Sequence, residues 1–246
     1  MATRTKRRTD ALSKERIVDA AIEILDAEGE DALTFRALAA RLATGSGAIY
    51  WHVANKGELL SATTNDVVAR AMTEVAGGAS PREAIRAVAM KVFDVIDAHP
   101  WVGTQLAREP WQTAMVQIFE GVGGPLQALG VPAKAQFDCA SVLVTYILGV
   151  GGQNAANARA LAHGTDRTAF LGDVAARWKQ IAVDAFPFVS RIANQLPAHD
   201  DREQFLVGID LILLGVTAAG QPVPVRPAAS DRKSRGRKAV DGGSRR

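Results

Sequence analysis

The chain has 246 residues, of which 48% are hydrophobic, 22% charged and 6% aromatic, with a formal net charge of +3. That balance is typical of soluble globular proteins and excludes a wholly disordered chain, a collagen and a disulfide scaffold. A single cysteine, Cys139, forbids an intrachain disulfide, and four scattered histidines add no ligand set for a structural zinc.

Abundant alanine and scarce aromatics favour helix over sheet. Ser13 reads as an N-cap, with Leu12 placed to staple against Ile17. Ile17, Ala20, Ala21, Ile24 and Leu25 then recur at helical spacing, and Gly29 supplies a stop. Thr34 caps a second, short helix with an apolar face of Phe35, Leu38, Ala39 and Leu42, broken at Ala43-Thr44-Gly45. A third helix, Ser46–His52, has only Ile49 and Val53 as a spaced apolar pair. Asn55 with Glu58 forms a capping box for a fourth, whose inward face is Leu59, Leu60, Thr63 and Val67.

Gly77-Gly78-Ala79 reads as a linker. Ser80-Pro81-Arg82-Glu83 combines a cap, a first-turn proline and a capping-box glutamate. It opens a helix striped with Ile85, Val88, Ala89, Val92, Phe93 and Ile96, ended by His99-Pro100. Pro110, Gly123-Gly124-Pro125 and Gly130-Val131-Pro132 are expected to punctuate the next stretch into short helices. A long apolar helix follows over Pro132–Ala162, then a loop at Gly164–Asp166. The pattern over 169–183 and 187–196 is ambiguous. Asp201 with Gln204 is expected to cap a last helix carrying Phe205, Leu206, Ile209, Ile212, Leu213 and Val216. The expected fold is all-α: a small unit of three or four helices, then a larger helical unit. Residues 221–246, rich in proline, serine and arginine without periodicity, read as disordered.

Charge is unevenly spread. Residues 1–16 hold six basic and two acidic side chains, and residues 221–246 hold eight and two, which leaves the body acidic at −7. Basic tails on an acidic body point either to a polyanionic partner or to solubility alone. The basic start runs into polar sequence, unlike a signal peptide, and the uncharged run Cys139–Ala158 contains Gln153, Asn154, Asn157 and three glycines, a better buried helix than membrane span. A cytoplasmic protein without membrane contact is expected.

The segment Thr34–Lys56 fits a helix-turn-helix. With Ile49 and Val53 turned inward, Tyr50, Trp51 and His52 cannot all be buried on so short a helix. As a contact surface they make sense: Tyr and His hydrogen-bond phosphates and bases, and Trp packs on the sugar backbone. Packing of Tyr50 and Trp51 on the fourth helix is the plainer alternative. Ser46, Gly47 and Ala48 are small enough for close approach to a groove. Arg36, Arg41 and Lys56 fall between residues 32 and 57, where no acidic residue occurs.

The runs Leu12-Ser13-Lys14-Glu15-Arg16-Ile17-Val18, Leu33-Thr34-Phe35-Arg36-Ala37-Leu38-Ala39, Ile49-Tyr50-Trp51-His52-Val53 and Asn55-Lys56-Gly57-Glu58-Leu59-Leu60 resemble the DNA-binding domain of the tetracycline-repressor (TetR) family. The Tyr-Trp-His-Val form, and Phe205–Ile212 near the C-terminus, are similar to the tetracycline-repressor branch. The resemblance implies a basic arm (1–12), a helix-turn-helix domain (13–72), a ligand-binding and dimerisation domain (80–220) and the basic tail (221–246). It implies a homodimer paired through helices near 132–162 and 201–219, bound to a double-stranded, pseudo-palindromic DNA operator. The DNA-contacting set would be Thr34, Arg36, Ser46, Gly47, Ala48, Tyr50, Trp51, His52 and Lys56. Within it, Arg36 and Ser46 would lie near base edges, Tyr50 and His52 at phosphate or sugar, and Lys56 at phosphate. Two departures stand out. The turn reads Leu42-Ala43-Thr44 where the family has Leu-Gly-Val, and Ser46-Gly47-Ala48 replaces Gln-Pro-Thr, which shifts base readout toward Arg36 and the arm.

The family's larger unit binds an effector that moves the fourth helix. Candidate pocket residues, bulky or polar among apolar ones, are Phe93, Trp101, Gln105, Trp111, Met115, Phe119, Phe137, Tyr146, Gln153 and Asn154. No histidine falls in Val102–Arg108, so the magnesium–drug chelation of the tetracycline branch is not expected. The expected effector is an uncharged, largely apolar small molecule, without a cofactor. His99 and His163 lack acid and nucleophile partners and no glycine-rich phosphate loop follows a strand, so the chain does not read as an enzyme. Two other readings stay open: an effector-independent, architectural DNA binder, and a helical ligand-binding protein with weakened DNA binding.

Overall fold

The computed structural model describes residues 12–74, 80–161, 166–181 and 184–218, all helical or turn. The basic arm, the Gly77-Gly78-Ala79 linker, most of the loop before Asp166 and the 221–246 tail lie outside the described residues.

Helix α1 spans Lys14–Glu28, with the Ser13 hydroxyl accepting from the Arg16 amide at 3.3 Å, and ends at Gly29, whose φ of 82° is one that glycine adopts without strain. A 3₁₀ turn, Glu30–Ala32, carrying no periodic apolar pattern, leads into α2, Phe35–Arg41. Thr34 caps α2 by accepting from the Ala37 amide at 3.1 Å. Helix α3 is Ser46–Tyr50, shorter than its pattern predicted, and α4 is Lys56–Thr73. One half of the predicted α4 capping box forms, with Asn55 Oδ1 accepting from the Glu58 amide at 2.9 Å, while the Glu58 carboxylate reaches one residue further back and accepts from the Ala54 amide at 2.8 Å. That backbone hydrogen bond, aided by nearby Lys14, holds the Glu58 carboxyl below the usual carboxylate range.

The larger unit comprises α5 (Pro81–Ala98), α6 (Pro100–Arg108), α7 (Thr113–Ala128), α8 (Ala133–Leu161), α9 (Arg167–Gln180), α10 (Pro187–Ile192), a 3₁₀ segment (Ala193–Ala198) and α11 (Asp201–Ala218). Every residue of the predicted α5 stripe is buried. Helix α8 packs on α5, α7 and α11 through a stripe that includes Leu143, Val144 and Ile147, while α4 packs on α1, α5, α6 and α7 and so ties the two units together. By length and composition alone, Ala133–Asn157 is a stretch able to cross a membrane; its buried stripe is that of a core helix.

Two sequence expectations need correction. Gly123-Gly124-Pro125 does not break the chain: α7 runs through it. An interior proline costs about 3 kcal/mol. Part of that cost comes from crowding against the Cβ of the preceding residue, and Gly124 has none. Burial of Met115, Ile118, Val122 and Leu126, at roughly 1.5–3 kcal/mol for each large side chain, outweighs the remainder. The second correction is at α11. Its capping side chain is Asp200, which accepts from the Glu203 amide at 2.9 Å, because Asp201 is drawn away to Arg167 at 2.7 Å.

The turn between α2 and α3 closes with Ala43 at a φ of 51°, whereas Gly45 sits at −85°. The left-handed residue of this turn is therefore an alanine, and the displaced glycine occupies backbone that any residue adopts.

Candidate functional site

Leu38 and Ala39 of α2, Ile49 of α3 and Val53 beyond it are buried, and α3 packs on α2. On the outer side, the Tyr50 ring stacks on Phe35 with centroids 4.4 Å apart and planes 4° from parallel. The stack fixes the tyrosine orientation while leaving it 55% exposed. Trp51 is 91% exposed and rests on nothing that would bury it. Gly47 and Thr34 are exposed, whereas Ser46, Ala48 and His52 are half-buried. All these residues share one end of the molecule with Arg36.

The three nearby cations differ in what they are free to do. Arg41 is paired with Glu23 of α1 at 2.7 Å, and the Lys56 ammonium donates to the Glu30 carbonyl at 2.6 Å. Arg36 is exposed and has no ion-pair or hydrogen-bond partner among the described residues. It is the cation with its full donor fork available for a nucleic acid.

A polar seam joins this end to the larger unit. Asp26, near the end of α1, accepts from His99 Nδ1 and from Trp101 Nε1, each at 2.8 Å. Glu30 accepts from the Gln105 amide at 3.0 Å and from Arg108 at 2.9 Å. From α4, Ser61 donates to Glu109 at 2.6 Å, and Asn65 accepts from the Ala114 amide at 2.7 Å. Movement of α6 or its following turn is thereby felt directly by α1 and α4.

The ten candidate pocket residues do not come together. Trp101 and Gln105 serve the seam. Phe93 lies in the core against Phe205, with ring centroids 4.7 Å apart; Met115 is buried and Phe119 partly so. Trp111 and Phe137 are exposed at the surface. Tyr146 stacks on Phe205 and its hydroxyl donates to the Phe205 carbonyl at 3.3 Å. Of the ten, only Gln153 and Asn154 line a common cavity, of about 430 Å³, between α5, α8, α9 and α11. Its other polar walls are the ionisable Asp97, Arg167, His199 and Asp201 and the neutral Asn157 and Gln204. Charged side chains carry none of the signal that marks pocket residues in sequence, bulky or neutral polar groups within apolar runs. The separation of Asp97 and Asp201 along the chain gave no local sign of their meeting.

An all-helical chain with an exposed aromatic and arginine-bearing helix-turn-helix, bridged to a helical unit with its own cavity, defines the class of helix-turn-helix regulators. Comparison with known proteins carries this further. Residues 17–63 match the family model described as bacterial regulatory proteins, tetR family. The chain resembles the solved structure of the transcriptional regulator SCO7222, a TetR from Streptomyces coelicolor, at 51% identity and a TM-score of 0.78, over 86% of this chain and all of that one. Among curated proteins it is 33% identical over 99 residues to an HTH-type transcriptional regulator of Saccharopolyspora erythraea, covering 40% of this chain and 42% of that protein. It is 39% identical over 93 residues to the HTH-type transcriptional repressor DrrR1 of Streptomyces coeruleorubidus, covering 37% and 34%. These curated matches thus span less than half of the relatives' length. The chain belongs to the TetR family of transcriptional regulators, whose named members are regulators and repressors and not enzymes.

Proposed function

We propose that the protein is a dimeric repressor that binds a pseudo-palindromic DNA operator and leaves it when a small molecule enters the larger unit. The observation that carries the reading is the outward face of α2 and α3: Tyr50 braced on Phe35, a fully presented Trp51 and an unpaired Arg36. Arg36 reads base edges, and Tyr50, Trp51 and His52 lie along sugar and phosphate, with Thr34 and the small residues Ser46, Gly47 and Ala48 at the groove wall. The Lys56 ammonium, already tied to Glu30, contributes its field more than a contact.

Residues 13–72 form the DNA-binding domain and 80–220 the effector and dimerisation domain, flanked by the arm at 1–12 and the tail at 221–246. Dimerisation is favoured by an unpartnered apolar face on α8 and α11, where Val142, Val207, Leu211 and Leu214 are exposed. A two-fold dimer brings two recognition helices to half-sites roughly 34–36 Å apart. The cavity mixes Val150, Phe170 and Leu171 with polar groups, which moves the expected effector from an apolar molecule to an amphiphilic one.

The test is a gel-shift titration on the DNA upstream of the protein's own coding sequence, with random duplex as competitor and a salt series. Sequence-specific binding that falls steeply with salt is expected. Equal affinity for random duplex would mark a non-specific, architectural binder instead.

A further inference from the structure

We infer that the effector is an organic cation, an apolar ring body bearing an ammonium group, seated between α5, α8, α9 and α11 with the cation on Asp97. This inference rests on the reading of the chain as an effector-responsive regulator. It extends that reading to the chemistry of the ligand.

The charges around the cavity do not cancel. Asp201 is engaged by Arg167 at 2.7 Å and by His199 at 3.2 Å, and Arg167 also donates to the His199 carbonyl at 2.7 Å. Arg202 is paired with Asp94. Each arginine near the cavity therefore has its carboxylate. Asp97 does not: it accepts one hydrogen bond, from the Asn154 amide at 3.0 Å, and has no ion pair among the described residues. It also sits in the last turn of α5, where unpaired carbonyls add a partial negative charge. Asp97 is exposed and lies in the field of Arg202, but Asp94, Asp97 and Asp201 still outnumber Arg167 and Arg202 by one, so an anion entering here would be repelled, whereas a cation would complete the set.

The remaining walls select an organic ion over a metal. Val150, Phe170 and Leu171 offer an apolar shelf for a ring, and Gln153 and Gln204 offer neutral hydrogen-bonding groups. No three His, Cys, Asp or Glu side chains come together as a metal site among the described residues. A volume of about 430 Å³ suits a drug-sized molecule.

Position supplies the regulatory link. Asp97 lies two residues before His99, which holds Asp26 of α1, and four before Trp101, which holds the same carboxylate. A cation that draws Asp97 toward the cavity pulls on the α5–α6 junction, and so on the seam that sets the DNA-binding unit.

The experiment uses the full chain and two dyes of similar size and opposite charge, cationic rhodamine 6G and anionic fluorescein, read by fluorescence polarisation. The native protein is expected to bind rhodamine 6G and leave fluorescein free. Asp97→Asn should weaken rhodamine binding about tenfold, as expected for one partly screened charge pair. Gln204→Arg, an exposed change that places a positive charge in the cavity, should do the same with the circular dichroism spectrum unchanged. Equal binding of fluorescein, or rhodamine binding indifferent to both substitutions, overturns the inference. Rhodamine binding that depends on Asp97 yet leaves a preformed protein–DNA complex intact overturns the cavity's role as the effector site. Failure to bind DNA in the separate gel shift strikes the regulator reading alone, and the dye results then still decide the cation site.

Discussion

Two faces of this protein leave large side chains in water, and they differ in kind. The α2–α3 face shows aromatic rings with polar edges beside an unpaired arginine. The α8–α11 face shows aliphatic residues, Val142, Val207, Leu211 and Leu214, and its nearby Asp210 is already paired with Arg86. Aromatic groups with hydrogen-bonding tips tolerate a wet, charged partner, whereas bare aliphatic surface gains only where water is excluded. The chemistry of the exposed groups, more than their amount, separates a face for a polyanion from a face for a second copy of the chain.

That contrast is sharpest at Leu211, which is 64% exposed in the middle of its stripe. Leu211→Glu should leave the fold intact and prevent dimer formation, because each copy would bring a carboxylate into a dry seam. Loss of simultaneous engagement of two half-sites should lower operator affinity by at least about a hundredfold. Light scattering after size exclusion and a gel shift measure the two effects together. A variant that stays dimeric would move the subunit interface to another surface.

The flank of α11 beside that stripe is intolerant for a different reason. Gly208 faces Tyr146, and a methyl group there would run into the phenol ring, itself held by its stack on Phe205 and its bond to the Phe205 carbonyl. Gly208→Ala should destabilise the protein by about 2 kcal/mol, the usual scale of overpacking, read as a lower melting temperature with DNA specificity unchanged. Tyr146→Phe, which keeps the ring and its packing, should cost less than half of that. A Gly208→Ala protein as stable as the native one would show that α11 can slide along α8.

On the DNA side the effects should be smaller and of two types. Arg36→Ala should cost about 1–3 kcal/mol at one base position and relax the preference there. Tyr50→Ala should weaken all duplexes about equally and reduce the salt dependence little, since the tyrosine is neutral. Binding to a panel of single-base operator variants separates the two. If Arg36→Ala weakens every variant alike, the arginine is a phosphate contact and base readout lies elsewhere.

The two regions were also unequally legible in the sequence. In the small unit, three of the four α-helix starts are written within four residues, Ser13 with Arg16, Thr34 with Ala37 and Asn55 with Glu58, while α3 starts at Gly45 without a side-chain cap. Local rules suffice when the partner is a neighbour in the chain. In the larger unit the deciding partners are distant. Asp201 and Asp200 are equivalent as caps by sequence, and Arg167, more than thirty positions earlier, determines which of them is used. Trp101 and Gln105 read as ligand contacts because they are polar-tipped residues in an apolar run, but their tips find Asp26 and Glu30. The cavity was illegible because its walls come from four helices and its carboxylates sit on faces that a periodicity argument assigns to solvent.

The smallest expected effect tests the one place where the small unit departs from its own local rules. Ala43 holds a φ of 51°, a region that costs an L-residue about 1–2 kcal/mol, partly offset by the greater chain entropy of glycine in the unfolded state. Ala43→Gly should therefore stabilise the protein by up to about 1 kcal/mol, raising the melting temperature by roughly 2–4 °C for a chain of this size. The α2–α3 turn is already closed, so operator affinity should hardly change. A gain in affinity without a gain in stability would mean that the alanine strains the recognition helix away from its bound position, and that the turn, not only the side chains it presents, limits how this face meets DNA.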